Sequence, residues 1–147
     1  MLYTAMTRRA MRIAYAAHAG QTDKSGVPYI FHPIHVAEQM HTETETVVAL
    51  LHDVLEETAV TREELSAAGF SSQVLTALES LTRGRNEDYL EYIRRLAPNP
   101  LARTVKLADL DHNADPSRLE TLTPKDAARL EKYRKAIALL REAERAF

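Results

Sequence analysis

The chain has 147 residues, with 19 Lys plus Arg against 21 Asp plus Glu, a formal charge of −2, 45% apolar residues and neither Cys nor Trp. A chain of that length closes one core over roughly two thirds of its unfolded surface without a disulfide or structural metal, and its charge balance supplies no general pull toward phosphate backbones or anionic lipid. Without Cys, thiol nucleophiles, Cys zinc sites and iron–sulfur clusters are excluded, and His and carboxylates are the metal donors that remain.

Few Gly and many Ala, Leu, Glu and Arg predict helices almost throughout, and no segment reads as a strand. A first helix is predicted over residues 4–18, stopping at Gly20. Residues 21–31 contain Gly26 and Pro28 and read as a loop. A second helix opens at His32 and Pro33, with proline in its first turn, and runs to about Met40. Thr42 or Thr44 caps a third, over residues 45–57, in which Val47, Val48, Leu50, Leu51, Val54 and Leu55 nearly encircle the axis. That helix is expected to be central and buried.

Thr61 with Glu64 forms a capping box for a short helix ending at Gly69, and Ser71 or Ser72 caps the next, to about Leu81. Further helices are predicted over residues 87–96 and 101–111, and Thr123 with Pro124 starts the last, which reaches the C-terminus. The expectation is an all-α bundle of seven or eight helices in a single domain over residues 1–147. No apolar run approaches ~18 residues, so the chain is read as soluble and cytoplasmic, with no membrane partner. The stretch from Thr61 to Leu75 has a helix–turn–helix outline, but its second helix carries no Lys or Arg, and no nucleic-acid polymer is expected as a partner.

The chemistry is signalled by His52 and Asp53, two ionisable residues inside an otherwise apolar helical run. A carboxylate left unpaired in an apolar core costs several kcal/mol, so it must be paired, metal-bound or opened to a wet cleft. Asp109 repeats the pattern after Val105, Leu107 and Ala108, and His32 stands next to a helix-opening proline. Three helices could bring His32, His52, Asp53 and Asp109 to one ion, a mixed nitrogen and oxygen set suited to Mn²⁺, Fe²⁺, Zn²⁺ or Co²⁺. Glu56 and Glu57 follow His52 and Asp53 by one helical turn, where a carboxylate can accept a proton from water. Asn113 follows Asp109 by the same interval. His18, His35, His41 and His112 read as structural or surface residues.

Four ordered blocks carry a family resemblance: Ala17, His18, Gly20 and Gln21; Lys24, Ser25, Gly26, Pro28, Tyr29, His32 and Pro33; Ala49, His52, Asp53 and Glu56; and Val105, Lys106 and Asp109 with Asn113. By these the chain resembles the HD superfamily, and within it the RelA/SpoT-type alarmone hydrolase domains of the stringent response, especially their small stand-alone members. The resemblance implies an HD-type helical bundle, with Mn²⁺ or another divalent transition metal held by His32, His52, Asp53 and Asp109. It implies that Glu56 and Glu57 activate or position the attacking water. The implied activity is removal of the 3′-pyrophosphate from (p)ppGpp-like alarmones, with Lys24, Ser25 and Asn113 as nucleotide contacts. Arg83 is implied to meet a phosphate, and Arg129 with Tyr133 to line the nucleotide pocket.

Three positions depart from that family's usual pattern. Asp23 replaces an Arg before Lys24, Glu57 replaces the Asp of a Glu-Asp pair, and Leu110 with Asp111 replaces Arg-Leu. Two alternative readings therefore stand beside the first: a hydrolase of an adenosine alarmone or other phosphorylated nucleotide, and a catalytically altered nucleotide-binding or regulatory module. No alarmone synthetase segment is expected in the chain, and the oligomeric state is open.

Overall fold

Side-chain caps set the helix boundaries in the computed structural model, which describes residues 1–147. Thr4, Thr42, Thr61, Ser71, Asp88, Asn99 and Thr123 each accept the backbone N–H three residues on, which satisfies a donor that the helix itself leaves free. The helices that follow are α1 (Ala5–Ala17), α2 (Phe31–Glu38), α3 (Glu43–Leu51), α4 (Val54–Glu57), α5 (Arg62–Ala67), α6 (Ser72–Ser80), α7 (Tyr89–Leu96), α8 (Pro100–Asn113) and α9 (Pro124–Ala146). A 3₁₀ turn over Pro116–Arg118, absent from the sequence expectation, joins α8 to α9. No strand forms beyond an isolated antiparallel bridge between Thr22 and Pro28.

The helix expected over residues 45–57 is interrupted. Its first part ends at Leu51, and α4 begins only at Val54. The His52 ring takes the Ala49 carbonyl through Nδ1 at 2.6 Å, an acceptor that an unbroken helix would give to the Asp53 amide. Asp53 then adopts φ −106° and ψ −2°, in the bridge region, and turns the chain. With α3 and α4 taken as one interrupted helix, the bundle has eight helices, within the seven or eight expected.

One continuous core of 30 residues draws on every α-helix. Its centre is α3, which packs against α1, α2, α6 and α8. Val47, Val48, Ala49, Leu50 and Leu51 are all buried there, and each buried Leu contributes about 1.5–3 kcal/mol of transfer free energy. The helix most surrounded by others is therefore the one that delivers His52 to the middle of the bundle.

Between α1 and α2 the chain makes two turns that need left-handed backbone, at Gly20 (φ 84°) and Gly26 (φ 80°). Asp23 Oδ1 ties the second by accepting the amides of Ser25 at 2.8 Å and Val27 at 3.0 Å.

Candidate metal centre

Nitrogen and oxygen donors from His32 on α2, His52 at the end of α3 and Asp109 on α8 all lie within 4.8 Å of one another. Each of the three residues is only 3% exposed, so the group is removed from water. His32 Nε2 lies 2.8 Å from Asp109 Oδ1, and His52 Nε2 lies 3.4 Å from the same oxygen. Asp53 borders the group, with Oδ2 at 3.0 Å from His52 Nε2. Three helices thus bring together the four residues marked in the sequence, with Asp53 at the edge.

The arrangement calls for a positive charge at its centre. A carbonyl only accepts, so His52 Nδ1 carries the proton given to Ala49, and Nε2 of the neutral ring is a lone pair. That nitrogen is buried, makes no hydrogen bond of acceptable geometry and faces two carboxylates. Burial alone lowers the pKa of His52, but Asp53 and Asp109 reverse the effect and carry it well above the usual imidazole range. A proton fills the demand for charge in the free protein, and a divalent cation with mixed nitrogen and oxygen ligation satisfies it better. The donor set fits such an ion.

Around the donors, Asp109 is held from three sides. Lys106 donates to its Oδ2 at 2.9 Å, Asn113 donates to its Oδ1 at 2.9 Å, and His32 approaches that same Oδ1. Asn113 thus acts one turn beyond Asp109, where the spacing put it. Burial opposes the charge on Lys106, but Asp109 keeps it protonated, and the pair helps hold the Asp109 carboxyl well below its usual range.

A cavity of about 330 Å³, reached from the donors through Tyr29 and Asn113, which bond Asp53 and Asp109, gathers Lys24, Ser25, Asn113, Arg129 and Tyr133, five of the six residues expected to contact substrate. Lys24 reaches across it to Asp126 at 2.7 Å, and Ser25 Oγ donates to the Arg118 carbonyl at 2.8 Å. Arg83 does not line this cavity. It lies between α6 and α7 with its guanidinium over Tyr89, and Nε donates to the Glu87 carbonyl. Glu56 and Glu57 end the short α4 and are exposed. Because the helix breaks before them, they do not simply continue the face of His52 and Asp53: Glu56 Oε1 accepts the Arg83 amide at 2.8 Å. Gln21 fixes the Glu57 carbonyl at 2.8 Å while its own Oε1 meets His18 Nδ1.

A family model described as "HD domain" matches residues 10–143. The chain belongs to the HD domain family. Among its curated relatives, the guanosine-3′,5′-bis(diphosphate) 3′-pyrophosphohydrolase of Haemophilus influenzae is 39% identical over 119 residues, which cover 69% of this chain and 17% of that protein. The bifunctional (p)ppGpp synthase/hydrolase SpoT of Escherichia coli K12 is 33% identical over 121 residues, or 72% of this chain and 17% of that protein. The HD domain therefore spans about a sixth of the length of these relatives. A solved structure of a metazoan ortholog of SpoT that hydrolyzes ppGpp superposes with TM-score 0.75 at 23% identity, covering 95% of this chain and 87% of that one, which shows a shared fold. No helix of this HD domain is long and apolar enough to cross a membrane.

Three contacts of the HD domain escaped the sequence reading. Tyr29 donates to Asp53 Oδ2 at 2.5 Å. His112, expected to be structural or on the surface, places its Nδ1 2.8 Å from His32 Nδ1, edge to edge with that ring, and stacks on His35. Arg118 donates to Asn113 Oδ1 at 3.0 Å. Tyr29 was visible only as part of a motif, and nothing local distinguishes His112 from the other unassigned histidines. Of the two readings given for His18, structural or surface, the structural one holds: it is buried and hydrogen-bonded to Gln21.

Proposed function

We propose that this HD domain is a phosphohydrolase dependent on a divalent metal, with Mn²⁺ as the favoured ion, that removes the 3′-pyrophosphate from guanosine 3′,5′-bis(diphosphate) and related alarmones. The observation that carries the reading is the buried, unpartnered His52 Nε2 facing the Asp53 and Asp109 carboxyl groups, which Tyr29 and Asn113 link to a cavity that also holds Lys24 and Arg129. The names of the bacterial relatives supply the substrate class.

His32, His52, Asp53 and Asp109 are the residues that would hold the ion. What a divalent cation supplies in such a place is a lowered pKa for water and relief of the negative charge that develops on phosphate oxygens. The rest falls to the side chains. Glu57 is the stronger candidate to take the proton, because partial desolvation and the neighbouring Glu56 and Asp53 carboxylates raise its pKa and make it a better base than a free carboxylate. Lys24 and Arg129 offset the phosphate charges, while Ser25 and Asn113 offer hydrogen bonds to the nucleotide. Tyr29 restrains Asp53, and Lys106 with Asn113 restrains Asp109, so both carboxylates are oriented before substrate arrives.

The balanced reaction consumes one water and yields guanosine diphosphate and pyrophosphate. The test is chromatographic separation of products after incubating Mn²⁺-loaded protein with guanosine 3′,5′-bis(diphosphate), beside His52→Ala and Asp53→Ala proteins checked for retained helicity. Pyrophosphate release by the unsubstituted protein alone is expected. Release that persists after complete metal removal would defeat the proposal.

A further inference from the structure

Arg118 stands in the cavity wall without a hydrogen-bonded carboxylate. Its Nη1 donates to Asn113 Oδ1 at 3.0 Å and to the His112 carbonyl at 3.3 Å, so α8 fixes one edge of the guanidinium. Nη2 faces Asp23 Oδ2 at 3.7 Å, beyond hydrogen-bonding distance. The carboxylate cannot close that gap freely, because its Oδ1 is committed to the Ser25 and Val27 amides. Lys24, by contrast, is already tied to Asp126 at 2.7 Å. Arg118 is a fixed fork with donors to spare, confronted by a negative charge that it does not fully engage.

Its position gives those donors a use. Asn113 accepts from Arg118 and donates to Asp109 Oδ1 at 2.9 Å, which places the guanidinium two hydrogen bonds from the metal donor set. Arg118 and Asp23 also both line a neighbouring cavity of about 380 Å³, so together they form part of the partition between the two spaces. A phosphate group lying against the donor set would meet a planar fork suited to two of its oxygens.

Resting on the phosphohydrolase reading above, we propose that Arg118 is a substrate-phosphate contact of this chain, and that Asp23 is the counter-ion it releases when a nucleotide polyphosphate binds. Asp23 then competes with phosphate for the same guanidinium and weakens affinity for the substrate. Arg118 supplies from the segment after α8 a cation that the loop before Lys24 lacks.

Asp23→Asn separates the two roles of that residue, since the amide oxygen can still accept the Ser25 and Val27 amides while the competing charge is gone. The experiment compares the unsubstituted protein, Asp23→Asn, Arg118→Gln and the double variant, each checked for helicity. Two readouts are taken: KM against kcat for guanosine 3′,5′-bis(diphosphate) with Mn²⁺, and calorimetric binding of inorganic pyrophosphate to metal-stripped protein. Loss of a charge-assisted phosphate contact predicts that Arg118→Gln weakens pyrophosphate binding about tenfold and raises KM by more than it lowers kcat. Asp23→Asn is expected to tighten both several-fold, and that gain should vanish in the double variant. Equal pyrophosphate affinity in Arg118→Gln, or an Asp23→Asn gain that survives without Arg118, overturns the proposal. Absence of turnover by the unsubstituted protein would instead count against the phosphohydrolase reading, while the pyrophosphate measurement still judges Arg118.

Discussion

The Nδ1 atoms of His32 and His112 lie 2.8 Å apart, with the two rings 6° from parallel. Two imidazole nitrogens at that distance share one proton, so one ring donates and the other accepts. Burial, with Arg118 nearby, pushes the His112 pKa down to about 4, and the ring is neutral at neutral pH. A cation at His32 Nε2 places the His32 proton on Nδ1, and His112 is the acceptor that receives it. His35 stacks on one face of His112 at 3.9 Å between ring centroids, which limits its rotation. His112→Phe keeps an aromatic ring but deletes the acceptor, and divalent-ion affinity should fall about 10- to 100-fold. Titration calorimetry with Mn²⁺ measures this directly; an unchanged dissociation constant would mean that His112 does not orient His32.

Metal should also appear as stability. An ion that binds the folded donor set and not the unfolded chain adds about 2.7 kcal/mol at a hundredfold excess over its dissociation constant. The thermal midpoint of metal-stripped protein is expected to climb with each increment of Mn²⁺. His52→Ala, which lacks the buried lone pair, should show little of that climb, so an equal response in both proteins would place the ion elsewhere.

Tyr29 is expected to matter through Asp53. Its phenol is held protonated by burial and by the neighbouring Asp53 charge, and it donates to Oδ2 at 2.5 Å. Tyr29→Phe removes that restraint at a cost of about 1 kcal/mol in denaturant unfolding. The larger effect predicted is on turnover, about tenfold, because a carboxylate free to turn is a poorer ligand. A loss of stability without any loss of turnover would reduce Tyr29 to a packing residue.

The pH profile tests Glu57. Partial desolvation and the Glu56 carboxylate raise its pKa, so in the metal-free protein Glu57 stays protonated to a higher pH than a free glutamic acid does. A base must be ionised to act, and the acid limb of the rate profile should therefore follow Glu57 and be lost in Glu57→Gln. The sign for stability is opposite: protonation favours the folded state, and the charge disfavours it above the raised pKa. Glu57→Gln should consequently be slower yet slightly more resistant to heat in the metal-free protein at neutral pH. An unaltered acid limb in Glu57→Gln would assign the proton to another group, with Glu56 the first to examine.

Local signals in the sequence account for a good part of this molecule. Thr4, Ser71 and Thr123 act at once on amides three residues away, and their helices begin where those caps stand. His52 and Asp109 were conspicuous because burying charge among Val, Leu and Ala is costly without a purpose. Lys24 and Asp126, by contrast, meet at 2.7 Å across 102 residues of chain, and no local pattern announces the pair.

Composition and capping residues thus determined by themselves an all-α bundle, and misplaced charges singled out His52, Asp53 and Asp109 as candidates to share one site with His32, because burial cost and short-range hydrogen bonding act within a few residues. Only the tertiary structure decided that the His52 ring breaks its own helix by taking the Ala49 carbonyl, that His112, Tyr29 and Arg118 join the centre, and that Arg83 stands apart from the cavity. Those outcomes depend on how α2, α3 and α8 pack, and packing couples residues that the chain keeps far apart.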